Sequence, residues 1–474
     1  MSQGFARYST DRNWHVPHFE KMLYDQVQQS KIWILYNSNS LIKAQLVMAY
    51  TAAAQMTGNV RFQEVVADIV TYVSRDLTHP SGAFYSAEDA DSLPNAGSGQ
   101  KLEGAFCVWS WAEVEELLGG EEVEGHTLAA LVQHEFHMEE DGNVGPAGDP
   151  HGELQGQNVL TRLPVVHPLC EETKYRQGLE KARQVLFDAR QKRPRPGLDT
   201  KILASWNSLM VSALARAGAS LKDEKYLKMA EKAGAFLRDH MVDYSTGIML
   251  RSLYGSGDSL EQLGTPIQGF LEDYANTVQA MLDLYTATLD ESWLEMAEKL
   301  QKVQDNLFLD KEQGGYFASR EGDPEVLLRL KDDQDGAEPS ANSVSAMNLL
   351  RLGKLLGSKS HEEEGLKVLR LFGDRLQQLP RALPAMAEAV LFHQSALPVL
   401  VVGGSLSNHP LLDHVRTKYI PSLAILGARG RMVQEAYPAL KDTARDEQAV
   451  FLMQDSVLGE KITSIEKLQE MLEQ

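Results

Sequence analysis

The stretch Leu203–Met210, LASWNSLM, decides the fold once two later stretches are set beside it: Leu271–Val278, LEDYANTV, and Glu338–Ser345, EPSANSVS. Trp206, Asp273 and Ser340 follow one another at intervals of 67 residues, each at a polar entry to an apolar run of helical period. Tyr226 and Trp293 are also 67 residues apart. Each opens an amphipathic helix: Tyr226, Ala230, Ala233, Leu237 and Met241 make one stripe, Trp293, Ala297, Leu300, Val303 and Leu307 another. An earlier stripe of the same kind runs through Phe62, Val65, Val66, Ile69, Val70, Val73 and Leu77. After each comes a glycine (Gly82, Gly247, Gly314) and a short extended piece (Phe84-Tyr85, Met249-Leu250, Tyr316-Phe317).

A unit of two helices, a Gly turn and an extended piece cannot bury its apolar faces alone and must stack on its neighbours. The period predicts an αα-hairpin array. Closure into an (α/α) toroid is favoured over an open solenoid, because closure brings the polar helix entries to one rim. The expected organisation is a mostly α chain with the toroid over residues 1–395, interrupted around 85–165 by loops and β-hairpins, and a small α/β segment over 396–474. The Gly, Asp and Asn clusters of GAFCVWSW and GNVGPAGDPHGELQGQNVL mark the interruption, with one short helix at Ala112–Leu118. LPVLVVGG and SLAILG are buried-strand candidates, followed by Ala449–Met453 and a terminal helix, Ile465–Leu472.

The chain has 474 residues, a net charge of −20 and 43% apolar residues, which suffices for a large core and excludes a disordered tail. That charge also argues against a nucleic-acid partner, since backbone binding requires Lys and Arg along the contact. Ala396–Val402 is the longest clean apolar stretch, far below the ~20 residues of a membrane helix. No membrane partner is expected. Met1–Thr10 lacks the order of a signal peptide, so the expected location is cytoplasmic, or secreted or mitochondrial if a targeting segment preceded Met1. Cys107 and Cys170 alone give neither a disulfide framework nor a Cys-x-x-Cys pair.

Several clusters carry candidate chemistry. PHFEKMLYDQ places His18, Glu20, Tyr24 and Asp25 just after Pro17, which reads as a helix entry, with His18 as general base or Glu20 as acid or base. SAEDADS supplies Asp89 and Asp91 beside Glu88 and ahead of Glu103; paired carboxylates are what glycosidic cleavage requires. Their spacing is not that of an EF-hand loop, and no metal or cofactor is expected. Trp206 with Asn207, Asp273 with Tyr274, and Asp333 with Ser340 and Asn342 combine an aromatic plate, amides and carboxylates in the manner of a sugar subsite. The catalytic candidates are therefore His18, Glu20, Asp89, Asp91, Asp273 and Asp333, and the substrate-binding candidates Tyr24, Asp25, Trp206, Asn207, Tyr274, Ser340 and Asn342. Helix capping is the competing explanation for Ser340 and Asn342.

The string GFARYSTDRNWHVPHFEKMLYDQ, with SAEDADS, LASWNSLM, LEDYA and KDDQDGAEPSANSVSAMNLLRL, resembles the spermatogenesis-associated protein 20 family along most of the chain. The resemblance implies a thioredoxin-like domain followed by a six-hairpin toroid like those of sugar epimerases and glycosidases. It points to a carbohydrate-active enzyme acting on a sugar-like ligand or, as the alternative, a non-catalytic protein of male germ-cell development. Three departures stand out: the thioredoxin-like part is absent, leaving a toroid expected to be incomplete at its start; Val27–Ala44 stands where the family runs straight on; and FLMQDSVLGEKIT lacks two cysteines of the family's end.

Overall fold

The computed structural model describes residues 4–26, 46–146, 148–161, 167–262, 264–404, 409–443 and 449–472. The stretch Val27–Ala44, expected to loop out or extend a helix, lies outside the described residues. The chain divides into two compact units, one of Met1–Met22 with Ala87–Asp199, the other of Leu23–Ser86 with Thr200–Gln474.

The larger unit is mostly α. Its first hairpin is α1 (Leu46–Thr57) and α2 (Val60–Asp76). Helices α3 (Trp111–Leu118), α4 (Leu128–Phe136) and α5 (Glu172–Arg190) belong to the other unit. Three further hairpins follow: α6 (Ala204–Leu221) with α7 (Glu224–Phe236), α8 (Leu271–Thr288) with α9 (Glu291–Phe308), and α10 (Ala341–Leu356) with α11 (Lys359–Leu371). After the short α12 (Gly373–Gln378) comes α13 (Pro384–Gln394). Helices α1, α6, α8, α10 and α13 pack side by side in that order as an inner layer. They line a common cavity, as a toroid requires.

One local device makes every hairpin. The inner helix of each of the four hairpins ends on a left-handed residue, Gly58, Lys222, Leu289 or Gly357, and the next residue caps the outer helix: Asn59, Asp223, Asp290 or Ser358. The cap oxygen takes an early backbone N–H of the outer helix, as Asp290 does from Ser292 (3.0 Å), so the chain reverses within two residues. The outer helices bury one stripe, for α9 Trp293, Leu294, Ala297 and Leu300, whereas the inner helices are buried over most of their surface. Truncating one such leucine to alanine costs about 2–5 kcal/mol.

The far end of the first three hairpins is closed by a second device. Gly82, Gly247 and Gly314 take positive φ, and two residues later a one-pair β-bridge forms: Thr78 with Phe84, Val242 with Met249, Leu309 with Tyr316. The next inner helix then clamps that piece. The Asn207 amide accepts from Phe84 N (2.7 Å) and donates to Phe84 O (3.0 Å), and Asn342 does the same to Tyr316 (2.8 and 2.9 Å). In the middle repeat the Tyr274 hydroxyl accepts from Met249 N (2.9 Å). Two residues on, the carbonyl of Arg251 accepts from Ala204 N and that of Ala318 from Leu271 N. Ser86 O accepts from Leu23 N in the same way, which sets Leu23 at the equivalent of an inner-helix start.

The last part of the chain adds a four-stranded mixed sheet in the order Ile425–Gly427, Val399–Val402, Val450–Gln454, Val457–Ile462, with the first pair parallel. Helix α14 (Pro410–Arg416) lies against α6, and Arg416 Nη2 donates to the final carbonyls of α8, Thr286 O and Ala287 O. Among the described residues no helix is long and apolar enough to cross a membrane.

The smaller unit has two cores, one of Trp109, Leu131 and Leu186 under α3–α5, one of Val16, Phe19 and Leu154. The helix entry expected after Pro17 is not formed. Pro17–His18 pairs antiparallel with Tyr8–Ser9, Lys21–Met22 pairs with Ala87–Glu88, and only Tyr24–Gln26, in the larger unit, makes a 3-10 turn. Proline's fixed φ suits a strand edge as well as a helix start, and the pairing partners decide between them. The region read as loops with one short helix also holds α4, capped by Thr127 Oγ1 on Ala130 N (3.1 Å).

Candidate functional site

In the larger unit the polar entries of α6, α8 and α10 meet. Asp273 sits at the third position of α8 with its Oδ2 on Phe270 N (2.9 Å), capping its own helix, and its Oδ1 on Ser205 N (3.1 Å) at the start of α6. Arg251, in the extended piece after Gly247, places Nη1 2.6 Å from Glu272 Oε1 and 3.1 Å from Asp273 Oδ2, its guanidinium 5.0 Å from the Phe270 ring centroid. Trp206, in the first turn of α6, donates Nε1–H to Glu338 Oε1 at 2.7 Å, and the Tyr24 ring meets the Trp206 ring edge-on at 4.8 Å. Glu338 Oε2 is buried and has no hydrogen-bond partner among the described residues.

Burial sets the electrostatics. It pushes the Glu338 carboxyl up to about 7; Glu272 and Asp273 push the same way, while Trp206 and Arg251 pull down. Asp273 is also pushed by burial up to about 7, against Arg251 and two backbone N–H donors. The two differ in what they can reach. Asp273 is fully buried with both oxygens occupied, whereas the Glu338 residue is only partly buried and its Oε2, itself buried, has no hydrogen-bond partner among the described residues. Asp332 is likewise raised, by burial and then by Glu272 and Asp333.

The other expected residues of this unit have identifiable tasks. The polar atoms of Asn207, Tyr274 and Asn342 make the clamps described above. Ser340 caps α10, its Oγ accepting from Asn342 N (3.2 Å) and donating to Asp332 O (3.0 Å). Asp333 is more than half exposed and pairs with Arg375 at 3.3 Å. Asp25 is buried in the 3-10 turn beside Tyr24.

His18, Glu20, Asp89 and Asp91 fall in the smaller unit. His18 Nδ1 lies 2.7 Å from Glu103 Oε1, its Nε2 3.8 Å from Glu20 Oε2, and its ring stacks on Tyr8 at 4.8 Å. Arg7 Nη1 pairs with Glu20 Oε2 at 2.8 Å. Asp89 pairs with Lys101 at 3.3 Å, and the Asp91 carboxyl is raised by burial and then by Asp89, Glu103 and Glu153. Among the described residues no group of three or more His, Cys, Asp or Glu has the arrangement of a metal site.

Over its whole length the chain is 42% identical to spermatogenesis-associated protein 20 of rat and of human, and it spans 60% of the length of each. The chain is a relative of spermatogenesis-associated protein 20. No family model matches it. Among solved structures, a cellobiose 2-epimerase from Bacillus thermoamylovorans is similar at 9% identity and a TM-score of 0.38, covering 84% of this chain and 67% of that one. A D-mannose isomerase is similar at 10% identity and a TM-score of 0.34, covering 78% and 81%. Similarities of that size carry no site residue across to this relative of spermatogenesis-associated protein 20.

Three members of the rim in this relative were not among the expected site residues: Arg251, Glu272 and Glu338. Arg251 breaks the repeat, since the equivalent positions after Gly82 and Gly314 are Ser86 and Ala318. A charged residue at a position that is small and neutral in the sister repeats is a readable signal. Glu338 stands two residues before the cap Ser340, and only the side-chain geometry ties it to Trp206.

Proposed function

We propose that the rim formed by the first turns of α6, α8 and α10 binds a sugar-like polyol and transfers protons to or from it, with Glu338 as the acid–base group. The observation that carries this reading is the partly buried Glu338 carboxyl, one oxygen fixed by Trp206 and the other unpartnered, in a setting that brings its proton exchange to about 7. A general acid–base group is most effective when its pKa lies near the working pH. Trp206, backed by the buried Tyr24 ring, supplies the aromatic surface on which a pyranose ring stacks, and Arg251 with Glu272 supplies directional donors and acceptors for hydroxyls. Asp273 acts in this scheme as a positioning residue, holding Arg251 and joining α8 to α6. The reactions in view are epimerisation at a carbon beside the carbonyl or hydrolysis of a glycosidic bond.

The relatives' name supports a second reading, a protein of spermatogenesis whose rim binds without turnover. Titration calorimetry against a panel of mono- and disaccharides separates the two when followed by product analysis. Glu338→Gln is expected to keep binding within about threefold and to lose turnover, and Trp206→Ala to weaken binding at least about tenfold. Binding without turnover in the unaltered chain favours the second reading, and no binding by any sugar defeats both.

A further inference from the structure

Ten residues beyond Trp206 lies Arg216, ten beyond Asp273 lies Asp283, and eleven beyond Ser340 lies Arg351. At 1.5 Å per residue this layer is ~15 Å down the inner helices from the rim. Arg216 Nε and Nη2 meet Asp283 Oδ2 and Oδ1 at 2.9 and 3.1 Å, and Arg351 Nη1 meets Asp283 Oδ1 at 2.9 Å. One buried carboxylate thus serves two guanidinium groups. The layer walls a cavity of about 220 Å³ whose charged lining is Arg216, Arg351, Arg416 and Lys418 against Asp283 and Glu388. Two positive charges are in excess, inside a chain whose net charge is −20. The rest of the wall includes Met48, Leu209, Met347 and Phe392.

The cavity is partly open and Lys418 at its edge is exposed, but Arg351 and Arg416 stand in a largely apolar wall, where a cation is unfavourable unless an anion joins it. Burial already pushes Arg416 down to about 10 and lowers Arg351 below the usual guanidinium range. We propose that this cavity binds a small organic carboxylate, with the charge on Arg351 and the apolar body against Met48, Met347 and Phe392. A guanidinium edge matches the two oxygens of a carboxylate. The negative Asp283 and Glu388 in the same wall disfavour a dianion, and the apolar side gives inorganic phosphate nothing to bury. This inference is independent of sugar chemistry at the rim.

Calorimetric titration of the full chain with benzoate, its neutral isostere benzamide and inorganic phosphate tests it. Benzoate is expected to bind saturably and at least about tenfold more tightly than either of the others, and Arg351→Met to remove that preference. Should Arg351→Met fail to fold, Met347→Trp fills the same space from the apolar side and is expected to abolish benzoate binding while retaining the wild-type circular dichroism. Benzamide or phosphate binding as tightly as benzoate, benzoate binding unaltered in a folded variant of either kind, or no benzoate binding at about 10 mM overturns the assignment.

Discussion

Glu338 and Asp273 show how two carboxyls with the same proton affinity come to different tasks through what surrounds their oxygens. For Glu338 the folded chain holds the proton near pH 7, against an ordinary value of 4.5. Between those values the folded state binds more protons than the unfolded chain. Its contribution to stability is therefore present below pH 4.5 and is lost as the pH rises through 7. Glu338→Gln removes that penalty while keeping an acceptor for Trp206 Nε1. The variant is expected to be more stable than the wild type at pH 8, by up to about 3 kcal/mol, with the difference shrinking toward zero at pH 5. Urea unfolding at the two pH values checks it, and a variant less stable than wild type at pH 8 contradicts the burial argument. Trp206→Phe keeps a ring against Tyr24 but removes the N–H that favours the charged carboxylate. It is expected to raise the Glu338 pKa further, read as a higher midpoint pH in the NMR titration of its side-chain carboxyl carbon.

At the scale of the element, the hairpin depends on two short pieces of chain chemistry, and they were unequally legible. The Gly turns and the 67-residue interval were plain, because glycine is the residue that adopts positive φ without cost. The other turn was hidden, since its left-handed residue is glycine in Gly58 and Gly357 but lysine and leucine in Lys222 and Leu289. No propensity rule flags a leucine at positive φ. The cap after it was visible only as one more Asn, Asp or Ser. Lys222 is exposed, so its side chain contributes little and its backbone strain remains. Lys222→Gly is expected to stabilise the chain by about 0.5–1 kcal/mol, measured as a higher urea midpoint at unchanged slope. The clamps predict the opposite sign. Asn207→Ala leaves Phe84 N and O unpaired in a buried place, and a loss of about 2–4 kcal/mol is expected in the same measurement. Asn207 and Asn342 read in the sequence as sugar-binding amides because an amide pairs with a backbone as readily as with a hydroxyl. Pro17 misled in a related way, its fixed φ being compatible with both a helix start and the strand edge that Tyr8–Ser9 provides.

At the scale of the whole molecule, the 67-residue period does more than repeat a shape; it sets like-numbered side chains in layers across neighbouring inner helices. The upper layer is the rim with Trp206, Asp273 and Ser340, and the lower is the Arg216–Asp283–Arg351 triad. Buried Asp283 pairs with both Arg216 and Arg351, so Asp283→Asn removes the charge from both contacts and is expected to cost about 3–5 kcal/mol by urea unfolding, where a loss below about 1 kcal/mol means the triad is not a joint between the helices. The period was legible because it lies in the order of residue types; the chemistry at the rim was only partly so, because Glu338 reaches Trp206 from 132 residues away in sequence. Proton transfer at the rim leaves a direct isotopic trace. Proton NMR of the chain incubated in D2O with glucose, mannose, cellobiose and a panel of disaccharides follows deuterium entering at the carbon beside the carbonyl, inversion there, and new anomeric signals from hydrolysis. With Glu338 as the acid–base group, one of these changes occurs with the unaltered chain and is absent with Glu338→Gln that still binds the sugar; equal turnover by Glu338→Gln, or no change with any sugar that binds the unaltered chain, rules that role out.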